Sequence, residues 1–95
     1  MEPDKYLLTI VSESILEDRM IDEIRELGAN GYTVTDARGW GKHGKRRGKW
    51  QQDSNIQIQV VGSRELCEAI CARLKDQYQA DFGLLLLISP VEVKN

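Results

Sequence analysis

The residues most suited to chemistry lie in one short run, residues 38–50, which combines positive charge with glycine and contains no acid. The run holds six of the 13 lysines and arginines, four of the eight glycines, the only histidine and both tryptophans. Because the whole chain has a formal charge of -2, the run at +6 leaves the remainder at -8. Backbone amides in glycine-rich turns can surround an anion, and Lys and Arg form charge-assisted hydrogen bonds to phosphate. The run therefore predicts an anionic partner.

Catalytic patterns are not recognised in this run. It does not match the G-x-x-x-x-G-K-[ST] loop of nucleotide hydrolases, and it does not lead from a parallel strand into a helix. His43 has no carboxylate or cysteine at metal-ligand spacing beside it, so it is interpreted as a solvated side chain or an anion contact. Trp40 and Trp50 are expected to pack the loop against the body, with stacking on a base or insertion into a partner as the alternatives. We predict neither an enzyme nor a metal site.

Length and composition favour one small domain. The 95 residues suit a single core spanning residues 1–95. Cys67 and Cys71 lie four apart in a helical pattern, so they are expected to be core or interface thiols rather than a disulfide pair. No secretory signal and no apolar run of about 20 residues is recognised, which predicts a cytoplasmic protein.

The first half of the chain predicts a strand, a helix and a second strand. Residues 5–11 form a short apolar run typical of a buried strand. Ser14 and Glu17 have the S-x-x-E spacing of a capping box, which predicts that a helix starts there and ends at Gly28. Residues 32–37 are rich in strand formers and lead directly into the basic run. The apolar stripe of the helix comprises Leu16, Met20, Ile24 and Leu27.

The second half repeats this order. Apolar residues alternate with glutamines over residues 56–60, which predicts a strand with one apolar face. Ser63 is the predicted N-cap of a second helix ending near Gln79. Residues 83–91 form a last strand that is apolar on both faces, and Pro90 predicts that it lies at a sheet edge. The stripe of the second helix comprises Leu66, Cys67, Ile70, Cys71, Leu74 and Tyr78.

This order predicts an α+β fold, the ferredoxin-like βαββαβ sandwich, with the basic run as a long loop between strands 2 and 3. Both helices then cover the same face of an antiparallel sheet. Residues 84–88 would place large aliphatic side chains on the other face as well, which predicts a closed symmetric homo-oligomer. The alternative is that neighbouring segments cover the strand locally.

A resemblance to a known family appears at residues 31–44, G-Y-T-V-T-D-A-R-G-W-G-K-H-G, which resemble the signature that leads into the T-loop of PII signal-transduction proteins. Residues 16–18, 59–61, 81–83 and 89–92 extend the resemblance over nearly the whole chain. It implies a homotrimer with an adenine nucleotide in each cleft between subunits. It also implies a T-loop, about residues 39–54, that changes shape with ligand and docks on a target.

The resemblance also implies nucleotide-binding positions. They suit adenine, ribose, backbone and phosphate contacts and comprise Ile10, Thr33, Arg38, Gly39, Gly41, Lys42, His43, Arg46, Arg47, Val60 and Gly83.

Departures from classical PII point to one branch of the family. His43 replaces a glutamine that helps to bind magnesium and 2-oxoglutarate, Leu84 replaces a basic residue, and the sequence ends at Asn95 before an arginine pair. The loop also lacks the tyrosine that is modified in classical members. A short, arginine-rich loop is more similar to PII-like proteins of inorganic carbon uptake, such as the SbtB type and the carboxysome-associated PII. There, loop arginines contact the phosphates of AMP, cAMP or ADP, and Arg46 matches one of them.

The leading hypothesis is a sensor that binds AMP, ADP, cAMP or ATP, with bicarbonate as a further ligand. Its loop would control a partner, a membrane transporter of bicarbonate or another anion, and recruit the protein to the inner membrane face. The alternatives are a classical PII-type nitrogen regulator and a nucleic-acid-binding module that uses the basic loop on phosphates. An enzyme of ferredoxin-like fold is disfavoured.

Overall fold

The computed structural model describes residues 4–39 and 54–95, and it has the predicted order of strands and helices. Residues 40–53, which hold most of the predicted T-loop, lie outside the described part of the chain. The elements are β1 (Tyr6–Glu13), α1 (Glu17–Glu26), β2 (Thr33–Ala37), β3 (Asn55–Gly62), α2 (Arg64–Tyr78) and β4 (Leu84–Pro90). A short 3₁₀ turn, Ser14–Leu16, connects β1 to α1.

The four strands form one antiparallel sheet in the order β2-β3-β1-β4. This is the strand order of the ferredoxin-like fold, so the predicted fold class is confirmed. The register pairs Glu13 with Asn55 and Ala37 with Asn55, and it pairs Ser12 with Leu84. The ends of β1 and β2 and the starts of β3 and β4 therefore lie at the same end of the sheet.

The core lies between the two helices and one face of the sheet. Strand side chains alternate between the faces, so every second residue of β1 and β3 points toward the helices. Leu8, Ile10, Ile58 and Val60 are completely buried there, as the period of two predicts. The buried helix residues belong to the predicted stripes and comprise Leu16, Met20, Ile24, Cys67, Ile70, Leu74 and Tyr78. An ion pair joins the helices, with Arg73 Nη1 2.7 Å from Glu23 Oε1.

The other face of the sheet carries no helix from the described part of the chain. Its β1 and β4 half is apolar, because Leu7, Val11 and Leu85 alternate with the core residues and Leu87 is 52% exposed. Val61 of β3, paired with Leu7, is 46% exposed. The half formed by β2 and the rest of β3 presents threonine and glutamine. The predicted placement of aliphatic side chains on both faces of β4 is confirmed.

Two helix ends follow local chemistry. Ser63 Oγ accepts a hydrogen bond from the Leu66 amide at 3.1 Å, so the predicted N-cap of α2 is confirmed. Gly28 has φ of +105° after α1, where glycine adopts a left-handed conformation without strain. The Gly28 amide donates to the Arg25 carbonyl and the Ala29 amide to the Ile24 carbonyl, which satisfies two free acceptors at this helix end.

The predicted capping box at Ser14 is wrong. Neither the 3₁₀ turn nor α1 has a side-chain cap, and α1 begins at Glu17 rather than just after Ser14. The cause lies in tertiary structure, because the Ser14 amide donates to the Ser54 carbonyl at 2.8 Å. β1 therefore extends to Glu13, two residues beyond its predicted end. The Ser14 amide then adds one more backbone hydrogen bond, to Ser54 just before β3.

We expect Ser63→Ala to lower the free energy of unfolding by about 1 kcal/mol, because it removes the acceptor of the Leu66 amide. The matched control is Ser14→Ala, which removes a hydroxyl that caps neither helical segment and should change stability by less than about 0.5 kcal/mol. Urea unfolding at one protein concentration measures both. Equal losses would contradict the assignment of the two serines.

Candidate functional site

The candidate site lies at the end of the sheet from which the basic loop leaves. We call this end the loop edge and define it by Glu13, residues 37–39, residues 54–55 and Gly83. Ala37, Asn55 and Glu13 occupy one cross-strand row, and Leu84, next to Gly83, pairs with Ser12. Both ends of the loop therefore leave the sheet from adjacent strands.

Two hydrogen bonds from the end of β1 hold the loop edge together. The Ser14 amide donates to the Ser54 carbonyl at 2.8 Å, which fixes the entry into β3. The Gly83 amide donates to Glu13 Oε2 at 3.1 Å, which fixes the entry into β4. The Glu13 contact joins residues 70 apart in sequence, and no periodicity or local motif could have indicated it.

The approach to β4 is a compact turn after α2. The amides of Asp81 and Phe82 both donate to the Tyr78 carbonyl, at 3.1 and 3.0 Å. The Phe82 ring packs edge-on against the Tyr78 ring, with centroids 6.5 Å apart and an interplanar angle of 69°. The turn therefore delivers Gly83, which is buried, to the Glu13 carboxylate in a defined position.

The predicted nucleotide-binding residues fall into three groups. Arg38, exposed, and Gly39, partly buried, follow β2 at the loop edge, and Gly83 lies at the same end before β4. Thr33 is exposed but lies at the other end of β2, four residues from Ala37 and thus about 13 Å away along the strand. The predicted residues that fall outside the described part of the chain are Gly41, Lys42, His43, Arg46 and Arg47.

Ile10 and Val60 form the third group. Both side chains are completely buried and point toward the helices. Because the sheet separates these side chains from its uncovered face, any contact that either residue makes with a ligand at that face would use the backbone.

The loop edge is divided between opposite margins of the sheet. Arg38 and Gly39 extend from β2, and Gly83 precedes β4, while β3 and β1 lie between them. Three strand spacings separate the margins by roughly 14 Å. On the helix side of β4 there is a depression of about 210 Å³ lined by Lys75, Gln79, Leu84 and Leu86. Within residues 4–39 and 54–95, one subunit therefore offers two partial sites, one at each margin of the sheet.

Other chemistry in the described ranges is limited. No cluster of three His, Cys, Asp or Glu side chains that could hold a metal ion occurs within residues 4–39 and 54–95. No helix in these ranges is long and apolar enough to cross a membrane. Leu84, where the family resemblance implies a basic residue, is 7% exposed and belongs to the core.

The two cysteines are free thiols of α2, and neither environment favours a nucleophile. Burial raises the pKa of Cys67, whose thiol lies 3.9 Å from the Tyr6 carbonyl. Burial also raises the pKa of Cys71 to about 11, and nearby Glu68 adds to the shift. Because the thiolate is the reactive form, both thiols stay protonated and inert near neutral pH.

Comparisons with known proteins identify the family and agree with the fold. Residues 5–94 match the family model described as nitrogen regulatory protein P-II. A PII-like signalling protein from Thermus thermophilus is 37% identical, with 96% of this chain and 91% of that chain covered and a TM-score of 0.76. CPII from Thiomonas intermedia, bound to ADP, AMP and bicarbonate, is 19% identical, with coverages of 93% and 94% and a TM-score of 0.67. Arabidopsis thaliana PII bound to citrate is 14% identical, with coverages of 94% and 78% and a TM-score of 0.72.

We expect Cys71 to be alkylated slowly, because its raised pKa leaves about a hundredfold less thiolate below pH 9 than an unperturbed thiol has. A Cys67→Ala variant isolates Cys71, and iodoacetamide rates are measured from about pH 7 to 11. The rate should still rise at about pH 10, whereas the same variant unfolded in urea should level off near pH 9. A folded-state plateau at the pH of the unfolded one would contradict the burial effect.

Proposed function

Because the chain belongs to the nitrogen regulatory protein P-II family, we propose that it is a homotrimeric sensor that binds an adenine nucleotide between subunits. The basic loop then binds and regulates a partner. We propose that this partner is a membrane transporter of bicarbonate or another anion, contacted on its cytoplasmic side. In this proposal the protein has no catalytic activity of its own and signals by binding.

The observation that carries the proposal is the division of the loop edge. Arg38 and Gly39 lie on the β2 margin and Gly83 on the β4 margin, roughly 14 Å apart. Head-to-tail contacts in a closed ring use two different surfaces of each subunit, and we propose that these are the β2 margin of one subunit and the β4 margin of the next. Such a contact brings the two partial sites together into one cleft.

The uncovered sheet face supports assembly. Leu85 and Leu87 of β4, with Leu7 and Val11 of β1, form an apolar area on the sheet face opposite the described helices, where Leu87 is exposed and the other three are partly buried. Exposed apolar areas of this kind mark interfaces in soluble proteins. The threonine and glutamine half of the same face supplies the hydrogen-bonding groups that surround the apolar centre of an interface.

The nature of the ligand is supported by sequence charge and by related proteins. CPII has been solved with ADP, AMP and bicarbonate. In this chain, Arg38 is followed by five further basic residues up to residue 50. Lysine and arginine side chains form charge-assisted hydrogen bonds to phosphate. We propose that Gly41, Lys42, His43, Arg46 and Arg47 complete the phosphate contacts and that Gly39 and Gly83 contribute backbone amides.

The branch of the family follows from the β4 margin. At position 84 the chain has a buried leucine instead of the basic side chain of classical members. A leucine in the core cannot neutralise a phosphate, so this chain lacks one charged contact that a classical nitrogen regulator would need there. This favours the PII-like branch, with loop arginines as the main phosphate contacts.

We expect calorimetric titration to show one saturable AMP or ADP site per subunit. Arg46→Ala should weaken AMP by about 10- to 150-fold and leave adenosine unchanged, because a charge-assisted bond contributes on the order of 1.5–3 kcal/mol. Repeating the titration with bicarbonate tests that further ligand. Absence of saturable nucleotide binding, together with steeply salt-dependent binding of nucleic acid, would overturn the sensor in favour of the nucleic-acid module.

We expect the wild-type protein to be a trimer by light scattering at micromolar concentration, and Leu87→Glu to dissociate it by placing a charge in the apolar area. The matched control is Ala72→Glu, which adds the same charge on the exposed side of α2. A monomeric wild type, or a trimer unaffected by Leu87→Glu, would refute the assembly through this face.

A further inference from the structure

Glu13 is an acidic side chain bonded directly to a backbone donor of the candidate site. It is the last residue of β1, and its Oε2 accepts from the Gly83 amide at 3.1 Å. It lies on the side of the sheet opposite Ile10 and Ser12, in the row that it shares with Asn55 and Ala37. A negative charge is therefore held at the loop edge, beside an amide that could otherwise face an anionic ligand.

This charge is not neutralised within the described part of the chain. Glu23, Glu26, Glu68 and Glu92 form ion pairs within residues 4–39 and 54–95, whereas Glu13 forms none there. Glu13 is partly buried, and its partner Gly83 is buried, so water screens the charge less than at a free surface. The donor bonded to it is a neutral amide.

We propose that Glu13 sets the charge preference of the nucleotide cleft, disfavouring triphosphates relative to the monophosphate. The inference rests on the proposed nucleotide site. A phosphate that approaches the Gly83 amide either competes with the carboxylate for that donor or lies next to it. Like charges at such distances repel, and the repulsion grows with each phosphate added. AMP carries one phosphate, whereas ATP carries three and therefore brings more negative charge near the Glu13 carboxylate at the Gly83 amide.

A purely structural role for Glu13 is the competing explanation. The Glu13 contact also connects the turn before β4 to the end of β1. An uncharged acceptor could make the same connection through a weaker hydrogen bond. Glutamine separates the two roles, because it keeps an oxygen of the same reach that accepts the Gly83 amide but removes the charge. Only a charge-reading role makes Glu13→Gln change the discrimination between nucleotides.

The test is calorimetric titration of AMP and ATP into the full-length wild type and Glu13→Gln, with EDTA present so that no divalent cation masks phosphate charge. The wild type should prefer AMP. Glu13→Gln should improve ATP binding by about tenfold relative to AMP, so that the preference narrows or reverses. Glu13→Ala, which removes both the acceptor and the charge, should also narrow the preference and serves as the second variant.

The matched control is Glu65→Gln. It makes the same change of charge in the first turn of α2, which follows Gly62 at the opposite end of the sheet, and it should leave the AMP to ATP ratio unchanged. Circular dichroism and thermal unfolding establish that each variant is folded.

The outcomes separate this inference from the proposed function. Nucleotide binding with an AMP to ATP ratio that Glu13→Gln does not alter would overturn the role of Glu13 alone. Equal losses for both nucleotides would do the same, since they would mean that the Glu13 contact only holds the turn before β4 in place. No binding of either nucleotide by the wild type and by the Glu13 variants would overturn both the inference and the adenine-nucleotide site.

Discussion

The pairing of β1 with two neighbours is the constraint on which the rest of the described structure depends. β1 pairs with β3 over eight residues and with β4 over seven, and Leu8 and Ile10 occupy the centre of the core. Glu13, the last residue of β1, accepts a hydrogen bond from Gly83 just before β4. Ser14, the next residue, donates to Ser54 just before β3. Because one strand carries both the core and the loop edge, a change in core packing along β1 would shift the positions of the candidate site.

The distribution of charge complements this rigid centre. The basic residues concentrate in residues 38–50, and the rest of the chain has a net charge of -8. An acidic body repels other polyanions, including nucleic acid and anionic lipid surfaces, while the basic run attracts small anions or an acidic surface. Anionic partners are therefore expected to bind at the basic run and not at the acidic body. Glu13 places one negative charge of the body at the loop edge itself.

Local periodicity in the sequence was enough to predict the fold. The alternation at residues 56–60 identified side chains that are buried, and so did the stripe of α1 at Leu16, Met20 and Ile24, whereas Leu27 is only partly buried. Ser63 identified the start of α2. The capping box predicted at Ser14 was wrong because the pattern is local, whereas the Ser14 amide is hydrogen-bonded to the distant Ser54 carbonyl. The site was harder to predict: the Glu13 to Gly83 contact spans 70 residues, and the separation of the two margins appears only once the strand order is known.

The divided loop edge ties ligand affinity to protein concentration. In a ring assembled as proposed, a nucleotide bound between the β2 margin of one subunit and the β4 margin of the next holds the two subunits together, and it has no complete site in a separated chain. By thermodynamic linkage, nucleotide binding then favours subunit association by the same free energy by which association favours nucleotide binding. On dilution, subunit exchange would release nucleotide, so the amount of protein in the cell would itself set the threshold at which the signal is sensed.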